Sequence, residues 1–268
     1  MSHRLVFFGL LAWLSLPLAA HAERPASFSK AKRLAAQIYK GHEVTIYCGC
    51  KYAYQGKKLV PEPSSCGYEP RIAVTKKGKS NARAFRIEWE HVMPAWVFGH
   101  QLQCWQQGGR KACKKDPVFA RMEADLHNLV PAIGELNGDR SNFKFTMISG
   151  EARAYGKCDF EIDFKSKTAE PPETVRGDIA RIYLYMRDQY KITLSDQQTR
   201  LLEAWVKSDP VDAWERQRGS QASQASNASD SSEKSQTSQE ESELMRFSKI
   251  LGEREQVIRR LSGITDLE

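Results

Sequence analysis

Glu90 and His91 stand side by side in the stretch Arg86-Ile87-Glu88-Trp89-Glu90-His91-Val92-Met93-Pro94-Ala95, which therefore offers a carboxylate beside an imidazole. A second stretch, Leu126 to Asn142, offers the amide of Asn137 and, three residues on, the guanidinium of Arg140. Carboxylate and amide carbonyl oxygens are hard donors of the kind Mg²⁺ accepts while keeping several waters. A neutral imidazole titrates close enough to neutral pH to take a proton from water. Such groups suit a phosphodiester-cleaving site built on one metal ion. Each half has a plainer reading, a histidine at a strand end and an asparagine on a helix surface. The two pieces together favour the site.

Both pieces need particular elements to place them. Neighbours on a strand point to opposite faces, so Glu90 and His91 can meet one site only where the strand ends and the backbone turns. Val92-Met93-Pro94 is such an ending, because Pro94 cannot continue a central ladder. Leu126 to Pro131 reads as a short apolar run ended by proline. Ala132 to Asn142 has helical spacing, with Ile133, Leu136 and Arg140 on neighbouring turns. Asn137 falls mid-helix, where asparagine is a mediocre former, and a carbonyl aimed at a metal would account for it.

The flanking sequence supplies scaffold. Ser27 to Tyr39 predicts a helix that Gly41 could stop, and Val44 to Tyr54 predicts a strand with Cys48 and Cys50 on one face. Lys57 to Gly67 reads as a loop with two prolines, and Ile72–Val74 and Ala84–Glu90 as strands around the polar turn 76–81. Asp116-Pro117 starts a helix, with Asp as cap and Pro at the first helical position. Thr174 to Tyr190 predicts a long helix, and Ser195-x-x-Gln198 resembles a capping box before Leu201-Leu202 and Trp205. The fold class is α+β, one mixed domain with strands near the site and helix towards the C-terminal end.

The ends of the chain differ from its middle. Residues 1–22 read as a secretory signal peptide: Arg4, an apolar run from Leu5 to Ala20, and the small-x-small site Ala20-His21-Ala22, with cleavage leaving Glu23 first. No other stretch is apolar enough to cross a bilayer, so the expectation is a periplasmic or secreted protein with no membrane span once mature. Residues 219–240 are rich in Ser and Gln and read as a flexible linker; residues 241–268 read as an amphipathic helical tail interrupted near Gly252. The net charge is +7, but the segment from 219 carries nine acidic and six basic residues. Positive charge is thus concentrated on residues 23–218, the expected domain, and points to a polyanionic partner. Six cysteines, Cys48, Cys50, Cys66, Cys104, Cys113 and Cys158, suit up to three disulfides in an exported chain. Cys104 and Cys113 are the first expected pair. Cys48 and Cys50 are too close to pair comfortably with each other, and each is left to reach Cys66 or Cys158. Zinc-ligand spacing is absent from the sequence.

Glu88-Trp89-Glu90-His91-Val92-x-Pro94-Ala95, Gly108-Gly109-Arg110-Lys111 and the run from Asp125 to Phe143 resemble the bacterial endonuclease I family, periplasmic or secreted nucleases of the ββα-metal (His-Me finger) superfamily. The likeness spans most of residues 24–215, including Glu170-Pro171-Pro172, Arg176-Gly177 and Trp214-Glu215. It implies a disulfide-stapled ββα-metal core and a sequence-non-specific endonuclease that cuts double- and single-stranded DNA, and RNA as well. One Mg²⁺ per site is implied, with Mn²⁺ or Ca²⁺ able to substitute, and the products carry 5′-phosphate and 3′-hydroxyl ends. By the same resemblance His91 is the general base, Glu90 and Asn137 hold the metal, and Arg110 contacts phosphate near the scissile bond. Arg140 is a further candidate for phosphate contact, with a helix-surface salt bridge as its alternative; His127 and Asn128 are expected to hold the finger together. The chain is expected to act as a monomer. Where the family carries a further cysteine after Trp-Glu, this sequence has Arg216 and no later cysteine, so the tail departs from the pattern. The competing expectations are a basic nucleic-acid-binding envelope protein without catalysis, which would bind but not cut, and an envelope interaction protein working through its tail helix.

Overall fold

Ser27 accepts a hydrogen bond from the Lys30 backbone N–H and so starts α1 (Phe28–Ile38) in a computed structural model that describes residues 27–150 and 153–226. The chain then forms a hairpin of β1 (Tyr52–Gln55) and β2 (Lys58–Pro61), and, after a long excursion, β3 (Ile87–His91). Four short helices follow: α2 (Ala95–Gly99), α3 (Gln103–Gln106), α4 (Gly109–Cys113) and α5 (Pro117–Glu123). Asp116 caps α5 by accepting from the N–H groups of Val118 and Phe119, with Pro117 at the first helical position, as the sequence predicts.

β4 (Leu129–Ile133) returns antiparallel to β3, in the register Glu90↔Val130 and His91↔Leu129, and leads directly into α6 (Gly134–Arg140). This strand–strand–helix unit carries the predicted site. Pro131 does not end the run, as the sequence suggested, but lies inside β4 opposite Trp89. A residue's N and O point to the same side of a strand, and the Pro131 carbonyl accepts from Ile46 N–H outside the β3–β4 pair. The missing proline N–H therefore faces away from β3 and costs the ladder nothing.

Beyond α6 lies a small mixed sheet, β5 (Lys144–Phe145), β6 (Glu161–Asp163) and β7 (Thr168–Glu170), with β7 central. The C-terminal helices are α7 (Arg176–Tyr190), α8 (Asp196–Ser208) and α9 (residues 213–226). Ser195 caps α8 by accepting from Gln198 N–H. One apolar core joins the β3–β4 pair, α2, α5, α7 and α8 through Phe98, Phe119, Phe145, Phe160 and Met186, all fully buried. A smaller cluster packs Ala31 and Ala35 of α1 against Leu126, Leu129 and Ala222 of α9.

Three disulfides are present: Cys48–Cys158, Cys50–Cys66 and Cys104–Cys113. The last is the first expected pair, and the structure resolves the choice left open for the other two. Cys48 and Cys50 do not sit on one face of a strand. Residues 45–50 form a tight turn, closed by Gly49 N–H to the Thr45 carbonyl, with Gly49 at a φ of 64° that favours glycine. The turn sends the two sulfurs to different partners.

Other local expectations shift as well. Residues 58–61, read as loop, form β2, and Ile72–Val74 contributes only a bridge from Val74 to Ser80. Residues 219–226 do not begin a linker; they continue α9, with Ala222 fully buried and Ser226 largely so. The remainder of that segment, the tail helix and the signal peptide lie outside the described residues. Among the described residues no helix is long and apolar enough to cross a membrane.

Candidate active site

α6 is only seven residues long, yet its side chains meet three different surroundings. Glu135 is buried and its carboxylate accepts from Tyr68 OH, the backbone N–H groups of Arg71 and Ile72, and Asn81 Nδ2. Asp139 forks onto Arg71 at 2.9 and 2.8 Å and accepts from Tyr155 OH. Those acids lash the loop 68–81 to the helix. A side chain at Gly134 would collide with backbone, and one at Gly138 would displace the Arg83 guanidinium. A Cβ on Gly134 would stand 2.8 Å from the Arg83 carbonyl oxygen and 2.9 Å from Glu88 Oε1, and one on Gly138 would meet Arg83 Nη1 at 2.3 Å. Their absence lets Arg83 and Glu88 of the neighbouring segments lie against the helix.

Asn137 shares this surface. Its Nδ2 donates to Glu88 Oε2 at 3.1 Å, which turns the amide oxygen away from that carboxylate. Glu88 also accepts from Arg83 and Arg86, at 3.0 and 2.8 Å through their Nε atoms. Glu88 and Glu90 alternate on one face of β3, so the acid that orients the amide and the acid expected to share its ligand are neighbours.

Glu90 is almost wholly buried, and both hydrogen bonds to it land on Oε1: from Tyr47 OH at 2.8 Å and from Arg140 Nη1 at 2.9 Å. Oε2 takes part in neither. Burial raises its pKa to about 7, against the opposing pull of Arg140 and Tyr47. The same burial pushes the Tyr47 hydroxyl well up, so it stays a donor.

His91 is the last residue of β3. The backbone bends at once through Val92 and Met93, pinned by Asn128, whose side chain accepts from Met93 N–H and donates to the Met93 carbonyl. The imidazole lies against Phe28 of α1 and Phe98 of α2. Its Nε2 is 2.7 Å from the Glu123 carbonyl oxygen. That oxygen sits at the C-terminus of α5, and the His127 N–H that a continued helix would bring to it goes to Asp125 Oδ1 instead. A carbonyl can only accept, so Nε2 carries the proton and the neutral ring keeps a lone pair on Nδ1. Burial, joined by the charge of Arg110 and resisted by the Glu123 carbonyl, lowers the His91 pKa to about 4.

Arg110, on α4, donates from Nε to Glu123 Oε1 at 2.8 Å and pairs with the same oxygen through Nη2, while nearly half its side chain stays exposed. Glu123 therefore holds the imidazole with its backbone and the arginine with its carboxylate. Glu90, His91, Arg110 and Asn137 all line one open cleft of about 280 Å³, together with Phe28, Arg83 and Glu88. Another concavity, of about 330 Å³ beside His42 and Trp214, contains none of these four.

Arg140 is not on this surface. It has no exposed area, and its guanidinium donates to Glu90 Oε1, the carbonyls of His91 and Val92, and Tyr183 OH, over the ring of Phe145. Neither phosphate contact nor a surface salt bridge is open to it. It is a buried counter-charge that fixes the end of β3 and the Glu90 carboxylate.

Sequence reasoning missed Glu88, Glu123 and Tyr47. Strand alternation from Glu90 could have found Glu88. Glu123 and Tyr47 reach the site only through the fold, across 32 and 43 residues of chain.

The donor set suits a hard divalent cation. Among the described residues no three His, Cys, Asp or Glu side chains gather as a metal cluster. A metal here would rest on one carboxylate, one amide oxygen and water, the sparse ligation that Mg²⁺ tolerates. Glu90 Oε2, outside both hydrogen bonds, and an amide whose nitrogen is held by Glu88 offer two such oxygens.

A family model described as Endonuclease I matches residues 27–230. An "Extracellular deoxyribonuclease" of Aeromonas hydrophila is 52% identical over 219 residues, covering 81% of this chain and 91% of the relative. A "Periplasmic deoxyribonuclease" of the same organism is 49% identical over 215 residues, covering 80% and 87%. An "Endonuclease-1" of Buchnera aphidicola subsp. Acyrthosiphon pisum is 47% identical over 192 residues, covering 72% and 74%.

Proposed function

Because this chain belongs to the endonuclease I family and is an endonuclease, we propose that it is an exported, Mg²⁺-dependent, sequence-non-specific nuclease that hydrolyses DNA, and RNA as well, at the His91 cleft. The observation that carries this reading is the 2.7 Å contact of His91 Nε2 with the Glu123 carbonyl oxygen, which assigns the tautomer. Nε2–H is spent on the Glu123 carbonyl, so the ring presents a bare Nδ1 in a cleft that also holds a carboxylate and an oriented amide.

His91 takes a proton from the water that attacks phosphorus. A neutral imidazole is needed for that step, and a pKa held near 4 keeps it neutral at working pH. Glu123 keeps the ring in place as the proton arrives. Arg110 offers its exposed guanidinium to a non-bridging phosphate oxygen, its Nε and Nη2 already braced by Glu123. Glu90 and Asn137 would hold Mg²⁺, with Glu88 orienting the amide and Arg140 and Tyr47 fixing the carboxylate. Bound there, the ion offsets charge on the phosphate and on the leaving 3′ oxygen. The P–O3′ bond breaks, the departing 3′ oxygen takes up a proton from solvent water, and the ends left are 5′-phosphate and 3′-hydroxyl. Nothing in this set reads a base or requires a 2′-deoxy sugar, which suits cleavage without sequence preference.

Export is supported by the printed names of the relatives, one extracellular and one periplasmic, and by three disulfides, which persist in oxidising compartments. Digestion of supercoiled plasmid by the oxidised protein tests the proposal. Nicking with Mg²⁺, none with EDTA, and product ends that accept ligation without added kinase are expected. Binding without cleavage at any Mg²⁺ concentration would overturn it.

A further inference from the structure

At two points the residue next in the chain to one lining the catalytic cleft lines a second, larger groove. Ala95 lines the cleft and Trp96 the groove; Ser141 lines the cleft and Asn142 the groove. Adjacent Cα atoms lie about 3.8 Å apart, so at both points the two depressions are lined by consecutive residues of the chain. The groove has a volume of about 600 Å³.

Its lining suits a nucleotide. Trp96 is 45% exposed, an unusual position for an indole, and stacks on exposed His100 at 4.7 Å between ring centroids with planes 16° apart. The imidazole backs one face of the pair and holds the platform flat. The groove is also lined by the exposed Lys144 of β5 and Lys167, adjoining through the hydrogen bond from Lys144 N–H to the Lys167 carbonyl. Neither lysine is in an ion pair among the described residues. The nearest acid on that turn, Asp163, is occupied in accepting from the N–H groups of Lys165 and Ser166 and from Ser166 Oγ. Aromatic platform and free cations together match a base with its flanking phosphates.

We propose that this groove is a nucleotide subsite, in which an unpaired base next to the scissile phosphate stacks on the Trp96–His100 platform while Lys144 and Lys167 hold a neighbouring phosphate. The assignment rests on the nuclease reading of the His91 cleft. It gives the enzyme a preference for single-stranded or locally opened substrate, since a base paired within a duplex is not free to stack on the indole.

The test uses the oxidised full-length protein in EDTA, so that binding is read apart from cleavage. Fluorescence anisotropy compares a labelled single-stranded oligonucleotide with a blunt duplex of the same sequence. Trp96→Ala should weaken single-strand binding roughly tenfold, the order of one base–aromatic stack, and change duplex binding less than about twofold. Trp96→Phe should restore most of the loss. The Lys144→Ala/Lys167→Ala double variant should flatten the salt dependence of single-strand binding. Wild-type protein supplies a check free of any folding defect: with Mg²⁺, an abasic site placed along the single strand should suppress cutting at one fixed offset and not elsewhere. Equal losses on both substrates for Trp96→Ala, or indifference to the abasic site at every offset, would overturn the subsite. Normal stacking behaviour in a protein that never cuts would instead overturn the nuclease reading.

Discussion

Arg140→Met separates a phosphate-binding arginine from a buried counter-charge. Arginine at 140 is fully buried and donates to four partners, among them the largely buried Glu90 carboxylate. Removing one member of a buried ion pair costs about 3–5 kcal/mol, chiefly because the partner is left charged or must take up a proton. Glu90 has its pKa already raised to about 7 by burial, and Arg140 is the main influence holding it from going higher. The variant carboxylate would therefore be protonated at neutral pH, which limits the penalty to the lower end of that range. For a domain of this size about 3 kcal/mol corresponds to a fall in Tm of roughly 6–12 °C. The assay is thermal unfolding of wild type, Arg140→Met, Glu90→Gln and the double variant at pH 7.5 with EDTA. A positive coupling of at least about 1 kcal/mol between the two sites is expected, with the double variant more stable than Arg140→Met plus Glu90→Gln would predict by addition. A variant with unchanged Tm, zero coupling and only a raised KM for DNA would refute the reasoning and return Arg140 to the phosphate.

Glu88→Ala removes the acceptor that turns Asn137, and should raise the Mg²⁺ concentration needed for half-maximal cleavage by about 10–100-fold, with a small change in Tm because Arg83 and Arg86 are exposed partners; an unaltered Mg²⁺ titration would count against the positioning role. His91 carries a linkage that can be read without substrate. Its folded pKa, about 4, lies below its ordinary value of 6.5, so between those limits the unfolded chain binds the proton and the folded one does not. Stability from this group falls as pH drops through that window, and His91→Asn should lose that part of the slope in a Tm-versus-pH series. Among the disulfides, loss of Cys48–Cys158, which closes 110 residues, should cost about 5 kcal/mol on loop entropy against about 3 kcal/mol for Cys104–Cys113, which closes 9, as measured by denaturant unfolding of paired Cys→Ala variants. If the grip on the substrate is through phosphates, as proposed, cleavage should fall steeply with added salt; a rate flat from about 50 to about 300 mM would argue for a different mode of binding.

The parts of the molecule that the sequence foretold are those decided within a few residues. Asp116 and Ser195 cap their helices because a side-chain oxygen three residues or fewer from an orphan N–H needs no knowledge of the fold. Glu90, His91, Arg110 and Asn137 gather in one cleft for a different reason: β3 pairs antiparallel with β4, which runs directly into α6, and α4, which carries Arg110, lies within the long β3–β4 connection. The failures lie where tertiary structure overrides local preference. Val44 to Tyr54 is rich in strand formers and its end, Tyr52 to Tyr54, lies in β1, but the Thr45–Cys50 turn, tied by two disulfides, interrupts the run after the Val44–Lys51 bridge. Pro131 looked like a terminator because sequence does not say which way its nitrogen faces. Arg140 looked like a surface cation because its four acceptors are brought together only when α6 packs on β3 and α7. Residues 219–226 have linker composition, yet small residues such as Ala222 allow α9 to pack closely on α1, and His127 bonds Ser223.

The central claim is that His91 supplies the lone pair that activates water. Chemical rescue measures it most directly. His91→Gly opens space beside Phe28 and Phe98 at the edge of a cleft that reaches solvent, so added imidazole can enter. With Mg²⁺ present, the variant should cut plasmid at least about 100-fold more slowly than wild type. Imidazole should restore cutting in a concentration-dependent manner, with the rescued rate tracking the neutral form of the added base. A folded His91→Gly protein that cuts as fast as wild type, or one whose rate is the same with and without imidazole and with its protonated form, would contradict the assignment.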